Sequence, residues 1–203
     1  MAKINKKKIK ISNALYTGKG DNGTTTLYHC NQQRISKSTN IIEALGSLDE
    51  LNAYIGVVKV YSGIERMKIS LNTKKGISYV DILSDIQQTL FVIQAEVAGS
   101  DIKVDKNNLK NIEDIIRIIS DILPPITSFT ISGGSILSAE LDFSRTLSRR
   151  CERRVVKVRE EGIRKIGNVT ISYLNRLSSL FFAMSRYSNH LMSIKEEHPK
   201  YYK

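Results

Sequence analysis

The chain has 203 residues, 41% hydrophobic and 25% charged, which is ordinary globular composition and enough for one domain with a sizeable core. Its net charge of +11 points to a polyanionic partner: nucleotide, nucleic acid or an acidic membrane surface. Two cysteines, Cys30 and Cys151, argue against a disulfide framework, and three histidines, His29, His190 and His198, show no metal-ligand spacing.

Lys3, Lys6, Lys7, Lys8 and Lys10 crowd the start of the chain, so residues 1–15 read as a basic N-terminal tail. The tail lacks the apolar region of a signal peptide, and no apolar run is long enough to span a bilayer, so a cytoplasmic location is expected. The stretch Tyr16 to Thr26 follows, with three glycines and four threonines around Lys19 and Asp21. It reads as a loop whose glycines let N–H groups turn toward an anion while its hydroxyls add donors. The Gly-Lys-Thr order of a Walker A loop is absent, and a plain surface turn is the competing reading.

The first helix is expected from Ser38 or Thr39 to Tyr61, with Ile42, Leu45, Leu48 or Asp49, Asn52, Ile55 and Val58 or Lys59 at helical spacing. Asp49 and Glu50 sit mid-helix, facing either solvent or an interface. A Lys-rich connection, Gly63 to Gly76, leads to a second helix over 79–97, with Ile82, Ile86, Leu90, Ile93 and Val97 as its stripe. A third runs over 108–123 until Pro124-Pro125 ends it. Phe129 to Ser135 is short and extended. The fourth helix spans Ser135, a plausible N-cap, to Gly162, a plausible stop. The fifth covers 170–190 with Leu174, Leu177, Phe181 and Met184 inward, and residues 193–203 read as a loose polar and aromatic tail. Five helices without a clear strand pattern predict an all-α fold, an antiparallel five-helix bundle forming one domain over 16–192.

The fourth helix carries the chemistry. Leu147, Cys151, Val155 and Val158 share one face; Arg145, Arg149 and Glu152 share another, roughly opposite. Arginine presents a planar fork of donors that suits phosphate, and a carboxylate among guanidinium groups can hold them in place. A solvated, salt-bridged face is the alternative.

Three separated segments together resemble the PduO-type ATP:cob(I)alamin adenosyltransferases. They are Tyr16-Thr-x-x-Gly-Asp-x-Gly-Thr-Thr with Arg34 and Lys37; Glu43-Ala-x-Gly-x-Leu-Asp-Glu-Leu-Asn-Ala-x-Ile-Gly56; and Phe129 to Arg154 with Tyr173-Leu-Asn-Arg-Leu-Ser178 beyond it. The resemblance implies a homotrimer of five-helix bundles with active sites between subunits. ATP would enter as its magnesium complex and reduced cobalamin would attack its ribose 5′ carbon, giving adenosylcobalamin and triphosphate. No resident metal, membrane or nucleic acid is implied; a reductase supplying reduced cobalamin is a possible partner. By the same resemblance, Thr17, Gly18, Lys19, Gly20, Thr25 and Thr26 would wrap the triphosphate, with Lys37 adding charge. Arg149, Glu152 and Asn175 would hold the nucleotide, with Arg150 and Arg153 contributing there or serving the fold. Asp49 would pair across the subunit boundary with Arg145, and Phe129 would displace the lower axial base of cobalamin. The chain departs from the family pattern at Lys19, Ser132, Asp142 and Ser179.

A basic helical nucleic-acid-binding protein is the alternative function, with Arg145 to Arg159 along the phosphates. It leaves the threonine-glycine loop and Asp49-Glu50 unexplained. A ferritin-like metal bundle would need Glu-x-x-His pairs, and the sequence holds none.

Overall fold

The computed structural model describes residues 15–27, 33–70 and 76–201. The basic tail before Leu15, His29, Cys30, part of the Lys-rich connection and the last two residues lie outside them. Five helices carry the fold: α1 (Asn40–Ile64), α2 (Tyr79–Ala98), α3 (Lys106–Ile122), α4 (Ile136–Glu160) and α5 (Asn168–Leu191). Each of the five expected helices is present, with every end within three residues of its expected place. Local chemistry sets several ends. Ser135 caps α4 by accepting from Ser138 N–H at 3.0 Å. Past Glu160 the chain turns left-handed at Gly162, φ 69°, and Ile163 N–H reaches back to Val158 O at 3.1 Å. Asp105 and Asn108 form a capping box at the start of α3.

Ion pairs and hydrogen bonds give the directions. Glu43, Glu50 and Tyr54 of α1 meet Arg154, Arg150 and Glu140 of α4, so those two helices run antiparallel. Ser138 of α4 meets Ser185 of α5, and Glu152 meets Asn175, again antiparallel. Arg176 and Arg186 of α5 reach Glu113 and Pro124 O, at and just past α3, so this pair is parallel. The chain alternates direction from helix to helix, and the parallel pair arises because α3 packs on α5. The core runs between the helices, from Leu48, Leu51 and Ile55 of α1 to Leu83, Leu90 and Ile93 of α2 and Leu177, Leu180 and Phe181 of α5.

Three findings differ from the sequence reading. The inward stripe of α1 is Ile41, Ala44, Leu48, Leu51, Ile55 and Val58, one residue off at its start. α1 packs on both α2 and α4, so it is apolar over two faces and its period does not choose between Ile41 and Ile42. Two small antiparallel ladders are present, β1 (Thr24–Thr26) with β2 (Arg34–Ser36), and β3 (Lys68–Ile69) with β4 (Ile77–Ser78). Strands this short leave no alternation to read. Finally, residues 194–198 are not loose. Ile131 N–H donates to Glu197 O at 2.8 Å, and Glu196 accepts from the buried Arg186 Nε at 2.5 Å.

A buried carboxylate fastens the end of the bundle away from these residues. Glu96, 2% exposed, accepts from Lys103 Nζ at 2.8 Å, Gly167 N–H at 2.8 Å and Thr170 Oγ1 at 2.6 Å. It ties the end of α2 to the start of α5.

Candidate active site

The glycine-threonine loop folds back on itself. The β1–β2 pairing closes it, and Lys37 N–H donates to Gly23 O at 2.9 Å. Arg34 donates through Nε to Thr24 Oγ1 at 2.6 Å and through Nη2 to Thr24 O at 2.7 Å and to Lys19 O. Lys37 Nζ donates to Gly20 O at 2.9 Å. A Cβ on Gly20 would lie 2.9 Å from that ammonium group and would push the flexible Lys37 side chain off the carbonyl. Thr17, Lys19 and Gly18 sit on the exposed rim. The structure therefore gathers Thr17, Gly18, Lys19, Gly20, Thr25, Thr26 and Lys37 into one cationic, hydroxyl-rich turn. Its hydrogen bonds among the described residues close on the turn and its own strands, and none reaches the α4 arginines.

The arginines of α4 divide into two sets. Arg150 and Arg154 face α1, where they pair with Glu50 at 2.5 Å and Glu43 at 3.0 Å. Arg145 and Arg149 face a cleft of about 430 Å³ instead. Arg145 Nε lies 3.5 Å from Asp142 Oδ1 and is buried without a hydrogen-bond partner. Arg149 is exposed, one turn before Glu152. Glu152 accepts from Asn175 Nδ2 at 2.8 Å, and Asn175 Oδ1 accepts from Arg176 at 3.0 Å. This line of polar groups fixes the carboxamide and the carboxylate beside Arg149. Arg153 is exposed on the outer side of the helix.

Phe129, Ile126 and Phe182 give the same cleft its apolar wall, with Ser178 and Ser179 beside them. Phe129 is 79% exposed, so its ring is not a core side chain. It rides on a segment held at Gly133, whose N–H donates to Asp142 Oδ2 at 3.2 Å and whose carbonyl accepts from Ser138 Oγ at 3.0 Å. Asp142, 8% exposed, is thus a bracket between the segment and α4. Cys151 lies on the opposite face of α4 from the cleft. Its thiol donates to Ser47 O at 2.9 Å, and burial pushes its pKa up to about 11, so it stays an inert thiol. Among the described residues, no group of three or more His, Cys, Asp or Glu side chains is placed to hold a metal ion. No helix among them is long and apolar enough to cross a membrane.

A cationic phosphate-type turn on one flank and a cleft with guanidinium groups facing an exposed aromatic on the other is the geometry in hand. The family model described as cobalamin adenosyltransferase matches residues 15–188. The chain belongs to this family. The corrinoid adenosyltransferase PduO of Citrobacter freundii is 33% identical over 184 residues, 87% of this chain and 50% of the relative. The corrinoid adenosyltransferase of Mycobacterium leprae is 31% identical over 186 residues, 86% of this chain and 91% of the relative. The chain spans about half the length of the two PduO relatives, from Citrobacter freundii and Salmonella typhimurium. Among solved structures, it is similar to a phenylalanine-to-alanine variant of the PduO-type ATP:corrinoid adenosyltransferase from Lactobacillus reuteri, complexed with cobalamin and ATP. The TM-score is 0.78 at 27% identity, covering 93% of this chain and 100% of that one.

For this cobalamin adenosyltransferase family member, sequence reasoning missed several residues that hold the site. Arg34 was part of the loop motif, but its role as the clasp of the turn was not assigned. Asn189 donates through Nδ2 to Gly133 O at 2.8 Å and accepts from Ser135 N–H at 3.0 Å. Arg186, 8% exposed, is a charged residue in the buried end of α5, and a buried arginine demands a partner. That demand, next to Glu196-Glu197, was the available signal for the C-terminal contact.

Proposed function

We propose that this chain transfers the 5′-deoxyadenosyl group of ATP to reduced cobalamin. The observation that carries the reading is the shared cleft, in which Arg145 and Arg149 face an exposed Phe129. Membership of the cobalamin adenosyltransferase family supports it. The cobalt electron pair forms the bond to the ribose 5′ carbon, and the carbon–oxygen bond breaks toward the triphosphate, which leaves with its negative charge. ATP is the magnesium complex, so the metal arrives as part of the substrate.

The chain's own residues bind and orient. The turn around Lys19 and Lys37 takes the triphosphate, and Lys37 exchanges the neutral Gly20 carbonyl for a phosphate oxygen, a stronger acceptor. Thr17, Thr25 and Thr26 add hydroxyl donors. Arg149, with Glu152 and Asn175 setting its surroundings, holds the nucleotide. Phe129 takes the place of the lower axial base and, with Phe182, keeps water from the corrinoid face opposite the one that bonds the 5′ carbon. The nucleic-acid alternative loses ground because Arg150 and Arg154 are engaged with α1 and do not form a continuous phosphate stripe.

The working unit is a homotrimer in this reading. Asp49, Ala53, Val60 and Ile64 lie along one exposed line of α1, with Val57 beside it at 43% exposure, a face suited to a second copy. Arg145, whose Nε lies 3.5 Å from Asp142 of its own chain, would meet Asp49 of a neighbour through the outer nitrogens of its guanidinium. Sedimentation is expected to give a trimer; a fully active monomer at micromolar concentration rules this out. In this reading the setting is reducing and cytoplasmic, and a reductase supplies the reduced corrinoid. Anaerobic incubation of the protein with reduced cobalamin and magnesium ATP is expected to give the absorbance spectrum of adenosylcobalamin. Folded protein that yields no cobalt–carbon product disproves the activity.

A further inference from the structure

Phe129 is 79% exposed, so packing of its own ring does not fix where it points. Its backbone is nevertheless fastened on both sides. α5 holds the two ends of the segment: Arg186 Nη2 donates to Pro124 O at 3.1 Å, and Asn189 Nδ2 donates to Gly133 O at 2.8 Å. The middle is held by residues 194–198. Ile131 N–H donates to Glu197 O at 2.8 Å, and His198 Nδ1 lies 2.9 Å from both Phe129 O and Ser128 Oγ. A carbonyl oxygen only accepts, so Nδ1 carries the proton here, and the Ser128 hydroxyl shares it.

Residues 194–198 are themselves anchored. Glu196 accepts from Arg186 Nε at 2.5 Å and Nη2 at 3.2 Å, a bidentate pair whose arginine is 8% exposed. Ile194 N–H donates to Asn189 O at 2.9 Å. A buried guanidinium is costly to leave unpaired, so α5 dictates where this segment lies. The same two α5 residues therefore locate both the Phe129 segment and the strip that crosses it.

We propose that His198 is a positioning residue that fixes the Phe129 ring over the cleft, acting through the Phe129 carbonyl. The proposal rests on the adenosyl-transfer reading, since the ring's place matters only where a corrinoid meets it. A misplacement of about 1 Å in a positioned group costs up to about a hundred-fold in rate.

The chain contains no tryptophan, so Phe129→Trp installs a single indole reporter. In that background, His198→Ala is expected to lower the indole's steady-state anisotropy. His198→Asn, whose amide donates from near the Nδ1 position, is expected to restore it. With Phe129 unaltered, His198→Ala is expected to lower kcat with reduced cobalamin about ten- to a hundred-fold. The KM for ATP and the melting temperature should hold, and His198→Asn should recover most of the loss. An active protein in which His198→Ala changes neither anisotropy nor kcat overturns the proposal and leaves the function intact. Losses of kcat and melting temperature together, unrescued by asparagine, also overturn it, because His198 then merely supports the fold. If the unaltered chain makes no adenosylcobalamin while the anisotropy falls with alanine and returns with asparagine, the placement by His198 stands and the adenosyl-transfer reading fails.

Discussion

Two charged clusters flank α5 and treat their charges oppositely. Glu96, 2% exposed, is filled by Lys103, Gly167 N–H and Thr170. Arg145 keeps a buried Nε without a hydrogen-bond partner, and Arg149 beside it is exposed. A buried charge whose partners are complete belongs to the fold, because removing any partner leaves desolvation uncompensated. A cation with unfilled donors keeps its capacity for a ligand. In this protein a carboxylate partner separates structure from site better than charge density does: Arg150, whose Nε is also unfilled, is paired with Glu50, while its neighbour Arg149 is exposed.

The comparison breaks first at Glu96. Glu96→Ala is expected to cost about 3–5 kcal/mol of stability, read by urea denaturation, because Lys103, Gly167 and Thr170 all lose their acceptor. A loss below about 1 kcal/mol would erase the distinction between the clusters.

Arg149→Ala sharpens it from the other side. A charge-assisted hydrogen bond is worth about 1.5–3 kcal/mol, so ATP binding should weaken about ten- to a hundred-fold by calorimetry while the denaturation midpoint holds. Arg150→Ala is the control, since that residue is engaged with Glu50 and should leave ATP affinity in place. Equal ATP affinity in Arg149→Ala and the unaltered chain refutes the assignment.

The smallest expected effect is on stability at Phe129. A core phenylalanine such as Phe181, fully buried, would cost about 3–5 kcal/mol on truncation to alanine. Phe129→Ala should leave the melting temperature unchanged and lower turnover with cobalamin at least about tenfold, or about 1.4 kcal/mol of barrier. Turnover with a corrinoid lacking the lower base should fall less. Equal losses on the two corrinoids with a large drop in melting temperature would make Phe129 a packing residue.

Much of this arrangement was legible in the sequence. The stripes of α2 and α5, the Ser135 cap and the Gly162 stop are local patterns, and local patterns survive folding. The cleft was legible only through the three motifs, because periodicity places Arg149 on a face without saying what stands opposite. The rest depends on distant partners. His198 meets the Phe129 carbonyl across 69 residues of chain, and no spacing rule links them. Arg150 and Arg149 look alike in the sequence; Glu50, a hundred residues earlier, tells them apart. The ladder of β3 and β4 spans two residues on each side, below the length at which alternation exists.

The Gly133–Gly134 turn couples two positions that are far apart in the chain. Both glycines have positive φ, 125° and 108°, and a Cβ on Gly134 would lie 2.6 Å from Asn189 Nδ2, the same group that holds Gly133 O. Neither residue can drift alone. A larger residue at 134 demands a smaller one at 189, and a smaller one at 189 releases the carbonyl and the Ser135 N–H it accepts from. In evolutionary terms the pair is a single character: homologous chains that keep a tethered aromatic segment should carry the glycine and the amide together, and those that lose one should have lost both.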